Sequence, residues 1–192
     1  VTKHLGLDDA VLDIEFTPNR GDCLSVLGVA REISAIRCKP MKQFDLKNRP
    51  AATSSRIAMS VTSTEDAPRY VGRVIEGLNA VRATPDWIKE RLRRSGLRSL
   101  GSIVDITNFV MLELGQPLHA FDLRFVNQGI VVRHATRGES LALLDGTELQ
   151  LAPETMVIAN QRGPIGLAGV MGGLESGVDS NTQGIFLEAA YF

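Results

Sequence analysis

The chain has 192 residues, of which 44% are hydrophobic, and its 21 Lys and Arg against 22 Asp and Glu give a net charge of -1. This length and composition are typical of a globular protein with a substantial core. Free-standing nucleic-acid binders usually carry a net positive charge, which this chain lacks. No stretch of the sequence is long and apolar enough to cross a membrane.

The first predicted elements are a strand and a helix joined by a turn. Residues 11–16 alternate apolar and polar side chains, which predicts a half-buried strand. After a turn, Asp22 is placed as an N-cap, and apolar side chains then recur at helical spacing to about Ile36. The polar segment 47–56, which contains Pro50, predicts a linker or a long loop.

Two strands and two helices are predicted next. The strands lie at about 57–62 and 69–76. A helix over about 84–94 has Thr84 as its N-cap and proline at its first position. A nearly all-apolar helix follows and ends at Gly115.

The remainder of the chain predicts β-structure. Strands are expected over 130–134, 155–159 and 184–190, and an Asp-Gly pair between two apolar runs predicts a hairpin over 141–151. Strands and helices do not alternate as they do in a doubly wound sheet. The predicted class is therefore α+β, with several helices and with mixed or antiparallel sheets in a sandwich-like arrangement.

The two cysteines, Cys23 and Cys38, lie in or next to one predicted helix, too far apart along it to form a disulfide bond. Because free thiols are typical of a reducing compartment, we expect a cytoplasmic protein. No signal peptide is visible. The chain begins without Met and ends on an apolar strand, so we expect an excised piece of a longer polypeptide. It forms either one compact unit over 1–192 or two interlocked sub-domains over about 1–60 and 61–192.

A histidine follows the apolar helix on a rigid turn. Pro117 prevents the helix from resuming, and His119 comes two residues later. A lone histidine is more often a satisfied structural residue than a functional one. The helix also carries Asn108, whose amide needs a partner in apolar surroundings. Asn108 either holds the turn at Gln116 or lines a pocket together with His119.

A glutamate and a glycine-rich segment complete the candidate site. Glu188 lies in a strand that is apolar on its other face, so its buried carboxylate needs either an internal arginine or a ligand hydroxyl. Residues 163–173 match neither a Walker loop nor the dinucleotide fingerprint. Their glycines either admit a ligand close to the main chain or form a strand edge with bulges.

Other charged and titratable groups give weaker indications. A basic run surrounds the helix predicted over 84–94 and is either a solvated face or a phosphate contact; it comprises Lys89, Arg91, Arg93, Arg94 and Arg98. His4, His119 and His134 show no ligand spacing with one another or with cysteine, so we expect no metal site. No serine or cysteine nucleophile is indicated.

Four segments of the chain resemble the β subunit of bacterial phenylalanine–tRNA ligase. They are residues 16–32, which contain Pro-Asn-Arg-Gly-Asp-Cys, residues 104–122, which contain Gly-Gln-Pro-Leu-His-Ala-Phe-Asp, residues 169–173, which read Gly-Val-Met-Gly-Gly, and Phe-Leu-Glu at 186–188. The match covers almost the whole chain and falls within the central B3/B4 region. One departure is Gly101-Ser102, where an Asn-containing pair is expected and Ser102 still serves as a helix cap.

This resemblance implies a B3/B4-type fold and an editing role. The full enzyme would be an (αβ)2 heterotetramer whose α subunit uses ATP and Mg2+ to charge tRNA(Phe), so this chain would need no cofactor of its own. The B3/B4 region would hydrolyse tyrosine wrongly esterified to tRNA(Phe). The resemblance assigns the catalytic positions to His119 and Asn108, and the substrate-binding positions to Glu188, Thr107, Gly169, Gly172 and Gly173.

The chemistry of these residues agrees with that implication. Tyrosine differs from phenylalanine by one hydroxyl, and a carboxylate at Glu188 that accepts it would reject phenylalanine. His119 would position a water or the terminal ribose, backbone amides would stabilise the oxyanion, and the substrate's own hydroxyl is a further candidate base. The alternative is a non-catalytic structural or tRNA-contacting module of the same subunit.

Overall fold

A computed structural model describes residue 2 and residues 8–42 and 47–192 of the chain. In these ranges it contains four α-helices: α1 (Val26–Arg37), α2 (Asp86–Arg94), α3 (Ser102–Leu114) and α4 (Leu123–Val126). Its ten strands are β1 (Met59–Val61), β2 (Arg69–Glu76), β3 (His119–Asp122), β4 (Ile130–His134), β5 (Ser140–Ala142), β6 (Glu148–Gln150), β7 (Met156–Asn160), β8 (Gly163–Leu167), β9 (Met171–Gly172) and β10 (Gly184–Tyr191).

The strands form two main sheets and a hairpin, which confirms the predicted α+β class. The larger sheet has the order β1-β4-β7-β8-β9; β1 runs parallel to β4, and the other neighbours are antiparallel. The second sheet is antiparallel, with the order β2-β10-β3. The predicted hairpin is present as β5 and β6.

The main hydrophobic core lies between the two larger sheets. Phe121 of β3 and Phe186 of β10 are buried against side chains of the five-stranded sheet, among them Ile130, Val132 and Ile158. Successive side chains of a strand point to opposite faces. The face of β10 that presents Phe186 to this core therefore also presents Glu188, two residues further along.

Strand β7 is buried on both faces. Ile158 belongs to the core between the sheets, whereas Val157 and Ala159 on either side of it pack in a second apolar cluster with Leu141 and Leu143. The hairpin of β5 and β6 thus covers the outer face of the larger sheet. The inner face of that sheet packs against the three-stranded sheet.

Helix α3 is fixed at both ends. Gly115 ends it in the left-handed conformation, with φ of 79°, as its sequence predicts. Near its start, the fully buried carboxylate of Asp105 accepts hydrogen bonds from the hydroxyls of Thr84 and Ser99 and from the backbone N–H of Leu100, the last at 2.8 Å. This network ties α3 to the segment that precedes α2.

The N-terminal prediction was wrong in two respects. Residues 11–16 form no strand, because no described strand pairs with them, and Leu12 is 79% exposed. Asp22 is not the N-cap of α1, since Arg20 holds its carboxylate at 2.9 Å. Ser25 is the N-cap instead, and its hydroxyl accepts the N–H of Gly28.

Two further caps differ from the prediction. Thr84 does not cap α2, because its hydroxyl donates to Asp105 and the N-cap position is occupied by Pro85. Helix α3 begins at Ser102 itself, with Gly101 as the N-cap. The two cysteines are free thiols, as expected, and none of the helices in the described ranges is long and apolar enough to span a bilayer.

Candidate functional site

A pocket of about 440 Å³ is lined by both main sheets. The three-stranded sheet contributes His119 and Glu188, and the larger sheet contributes Gly166, Gly172 and neighbouring residues of the turn between β8 and β9. The segment 115–118, which follows α3, closes one side. The pocket thus lies where the glycine-rich segment meets the turn that carries the histidine.

His119 and Glu188 are direct partners in the antiparallel pairing of β3 with β10. Residues that are opposite each other in such a pair project from the same face of the sheet, with Cβ atoms about 5 Å apart. The strand register therefore brings an imidazole and a carboxylate to one wall of the pocket, although 68 positions separate them in the sequence.

The imidazole of His119 is buried and incompletely hydrogen-bonded. Its ring packs edge-on against Phe121, with 4.4 Å between the ring centroids. Its Nε2 atom is buried and has no hydrogen-bonding partner among the described residues. Burial lowers the pKa of His119 from 6.5 to about 4, so the ring is neutral at pH 7. A buried polar atom without a partner is costly, which distinguishes His119 from a satisfied structural histidine.

Glu188 is 6% exposed, and its carboxylate has a phenol as its partner. The hydroxyl of Tyr70 on β2 donates to Glu188 Oε2 at 3.0 Å. Burial raises the pKa of Glu188 from 4.5 to about 7, and the hydrogen bond from Tyr70 opposes that rise. The interpretation with an internal arginine is therefore wrong. Sequence reasoning missed Tyr70, whose only signal was its place in a predicted strand.

At two positions that line the pocket, neighbouring atoms lie too close to the backbone for a side chain to fit without displacement. A Cβ atom at Gly172 would lie 2.4 Å from Cε1 and 2.7 Å from Nε2 of His119. Gly169 has a φ of 71° in the turn between β8 and β9, and a Cβ there would lie 3.2 Å from the ring of Phe192. The segment therefore forms the strands β8 and β9, with an irregular register between β7 and β8, and it brings backbone close to His119. Its role in admitting a ligand stays a prediction.

Three predicted site residues do not line this pocket, namely Asn108, Thr107 and Gly173. The lining begins at Gly115, just after α3, and Asn108 lies seven residues before Gly115, about 10 Å along the helix axis. The Thr107 hydroxyl donates to the carbonyl of Val104 within the same helix. The N–H of Gly173 donates to the carbonyl of Ile165, and a Cβ there would lie 2.6 Å from that oxygen.

The basic run on α2 is largely ion-paired. Lys89 pairs with Asp86 at 3.5 Å, Arg93 pairs with Glu90 at 2.9 Å, and Arg94 pairs with Glu90 and with Asp9. Pairing of this kind is typical of a solvated helix face and reduces the positive charge available to phosphates.

Within the part of the chain that the structure describes, one cluster has metal-ligating atoms close together, and the guanidinium of Arg20 lies against it. Asp22, Cys23 and Glu32 place their ligand atoms within 4.8 Å of one another. The guanidinium of Arg20 bonds all three side chains, so it fills the position that a metal ion would take. Of the three histidines, His4 lies outside the described residues.

Comparison with known proteins assigns the chain to a family. A family model described as the B3/4 domain matches residues 66–192, which is more than half of the chain. The chain belongs to the B3/4 domain family. The match begins before β2 and includes every residue of the candidate site, so the pocket lies within the B3/4 domain.

Relatives of this B3/4 domain are phenylalanine–tRNA ligase β subunits. The chain is 52% identical to that of Hahella chejuensis, 50% to that of Coxiella burnetii and 46% to that of Yersinia pestis, in each case over 100% of this chain and 24% of the relative. The chain thus spans about a quarter of the length of these relatives.

A solved structure has a similar fold. It is an N-terminal fragment of the phenylalanyl-tRNA synthetase β subunit from Pyrococcus horikoshii, with a TM-score of 0.54 and 17% identity. The similarity covers 95% of this chain and 58% of that one. It supports the architecture of the two sheets with their helices.

Proposed function

We propose that this chain is an editing module that hydrolyses tyrosine wrongly esterified to tRNA(Phe), as part of a phenylalanine–tRNA ligase. The observation that carries the proposal is the placement of His119 opposite Glu188 on one wall of a pocket. The similarity of the whole chain to phenylalanine–tRNA ligase β subunits supports the choice of substrate class.

Selection of tyrosine would depend on the carboxylate. Oε2 of Glu188 is bonded to Tyr70, and among the described residues no donor bonds Oε1. A tyrosine side chain that enters the pocket would donate its phenolic hydroxyl to Oε1. Phenylalanine would cover that oxygen and leave it unpaired, and a site built to hydrogen-bond a substrate hydroxyl rejects the analogue that lacks it.

Hydrolysis would proceed by direct attack of water. No Ser, Thr, Cys or Lys is among the described residues that line the pocket, so none of them supplies a covalent nucleophile there. With a pKa of about 4, His119 is a poor proton acceptor at neutral pH. We assign it a hydrogen-bonding role toward the water or the terminal ribose, and the substrate's own hydroxyl remains the candidate base.

The remaining steps of the enzyme would belong to other parts. Attachment of phenylalanine with ATP and Mg2+ is assigned to the α subunit of an (αβ)2 assembly, with tRNA(Phe) as the shared partner. This division is consistent with a pocket that offers one carboxylate and no cluster of acidic ligands for Mg2+ among its described residues.

Deacylation of two charged tRNAs tests the proposal. A ligase that carries this sequence should release tyrosine from Tyr-tRNA(Phe) and leave Phe-tRNA(Phe) intact. Gly172→Trp should abolish that release while the variant stays folded, because the indole fills the pocket and displaces the imidazole of His119. Gly21→Ala, at a glycine with open space around it, is the matched control. Full hydrolysis by Gly172→Trp would favour the non-catalytic module instead.

A further inference from the structure

Tyr70 is held rigidly on the strand beside Glu188. In the pairing of β2 with β10, Tyr70 lies opposite Ala190, and Glu188 lies opposite Gly72. These positions share one face of the sheet, so the Tyr70 side chain extends along that face to reach Glu188 Oε2 at 3.0 Å. The bond therefore joins diagonal neighbours on adjacent strands.

Aromatic packing fixes the direction of the Tyr70 ring. The ring stacks on Phe186, with 6.5 Å between centroids and 17° between planes, and it meets Phe192 at 6.3 Å. Phe186 has room because residue 72 is glycine: a Cβ atom there would lie 1.8 Å from the Phe186 ring. Gly72 and the two phenylalanines thus leave the hydroxyl of Tyr70 aimed at Glu188.

We propose that Tyr70 is a positioning residue that occupies Oε2 of Glu188 and leaves Oε1 as the one acceptor for a ligand phenol. This inference rests on the proposed function, since it explains how a two-oxygen carboxylate receives a single substrate hydroxyl. The ring of Tyr70 does not line the pocket, so it acts through Glu188 rather than by contact with the ligand.

Few other groups act on Glu188. The titratable side chains that face it are His119 from β3 and Tyr70 from β2, while β8 and β9 contribute glycines and apolar residues to this wall. His119 is neutral, and burial together with the Glu188 charge keeps the pKa of Tyr70 far above its usual range. Among the described residues, the Tyr70 hydroxyl is therefore the donor that stabilises the ionised carboxylate.

Tyr70→Phe tests this role because it removes the hydroxyl and keeps the stacked ring. The carboxyl of Glu188 is followed by carbon NMR across pH, and binding of free L-tyrosine and L-phenylalanine is measured by calorimetry. We expect the pKa of Glu188 to rise above its value of about 7 by about one pH unit. At neutral pH the preference for tyrosine over phenylalanine should fall about tenfold, and it should recover at higher pH.

The controls separate positioning from a purely structural role. Val71→Ala, at an exposed neighbour on the opposite face of β2, should change neither quantity. In a Glu188→Gln background, Tyr70→Phe should have no further effect on the tyrosine preference. A lower melting temperature with an unchanged pKa of Glu188 and an unchanged preference would overturn the inference.

The same measurements keep the two proposals distinct. If the wild-type chain prefers tyrosine and Tyr70→Phe loses this preference, the role of Tyr70 is supported. Failure of the ligase to deacylate Tyr-tRNA(Phe) would then defeat only the proposed function. A wild-type chain that binds both amino acids equally defeats the role of Tyr70.

Discussion

Glu188 and His119 lie opposite each other across β10 and β3, and burial drives both toward their neutral forms. It raises the pKa of the carboxyl to about 7 and lowers the pKa of the imidazole to about 4. Paired groups with perturbed pKa values in a cleft are typical of functional sites. The same shifts make the stability of the fold depend on pH in opposite directions for the two residues.

The first prediction concerns that pH dependence. Glu188 has a higher pKa in the fold than the ordinary 4.5, so its contribution to stability is complete below about pH 4.5 and is lost as the pH rises through 7. The difference corresponds to on the order of 3 kcal/mol. Glu188→Gln should therefore raise the free energy of unfolding at about pH 8 and leave it nearly unchanged at about pH 4.5.

Urea unfolding at both pH values measures this effect, with Glu154→Gln at an exposed position as the control. The contribution of His119 to stability depends on pH in the opposite direction. Its folded pKa lies below 6.5, so its contribution is complete above about pH 6.5 and is lost as the pH falls through 4. An equal response of the Glu188 variant at both pH values would contradict the burial of this carboxyl.

The second prediction concerns the contact between Gly172 and His119. Even a methyl group at Gly172 would overlap the imidazole, so Gly172→Ala should displace His119 and reduce hydrolysis of Tyr-tRNA(Phe) by about tenfold or more. Gly21→Ala should retain full hydrolysis. Single-turnover deacylation compares them, and equal rates for the two variants would show that the His119 position is unimportant.

The third prediction separates His119 from the other described imidazole. His119→Gln should lower kcat for hydrolysis by about a hundredfold if the ring orients the reacting groups, whereas His134→Gln, at an exposed ring near Asp66, should have no effect. Because the pKa of His119 is about 4, the wild-type rate should show no inflection from His119 between about pH 6 and 8. Unchanged kcat in His119→Gln would remove this residue from the mechanism.

The fourth prediction concerns stability away from the pocket. Asp105→Ala leaves two hydroxyls and a backbone N–H without their acceptor, so it should lower the free energy of unfolding by about 2–4 kcal/mol. Asp86→Ala, whose side chain is 96% exposed, should change it by less than about 0.5 kcal/mol. Thermal unfolding of both variants decides whether the Asp105 network holds α3 in place.

Local patterns were sufficient to predict much of the fold and two of the side chains that line the candidate site. Strands β2 and β4 occupy the predicted residues, and Gly115 ends α3 where the sequence indicates. His119 and Glu188 were recognised because a titratable group in apolar surroundings needs an explanation. These features depend on residues close together in the chain.

The rest depends on contacts that are distant in sequence. No local pattern states that Glu188 pairs with His119 or that Tyr70 is its donor, since both follow from the order β2-β10-β3. The alternation in residues 11–16 was misread because a strand also needs a partner, and Thr84 was misread because Asp105 competes for its hydroxyl.

The fifth prediction is the most direct test of tyrosine selection. In a ligase that carries this sequence, Glu188→Ala should leave charging with phenylalanine intact and reduce the ratio of Tyr-tRNA(Phe) to Phe-tRNA(Phe) hydrolysis. The lost bond to a charged acceptor, worth roughly 1.5–3 kcal/mol, corresponds to about tenfold to a hundredfold. The measurement is both deacylation rates and the melting temperature on the same variant. A large fall in melting temperature with an unchanged ratio would contradict the account.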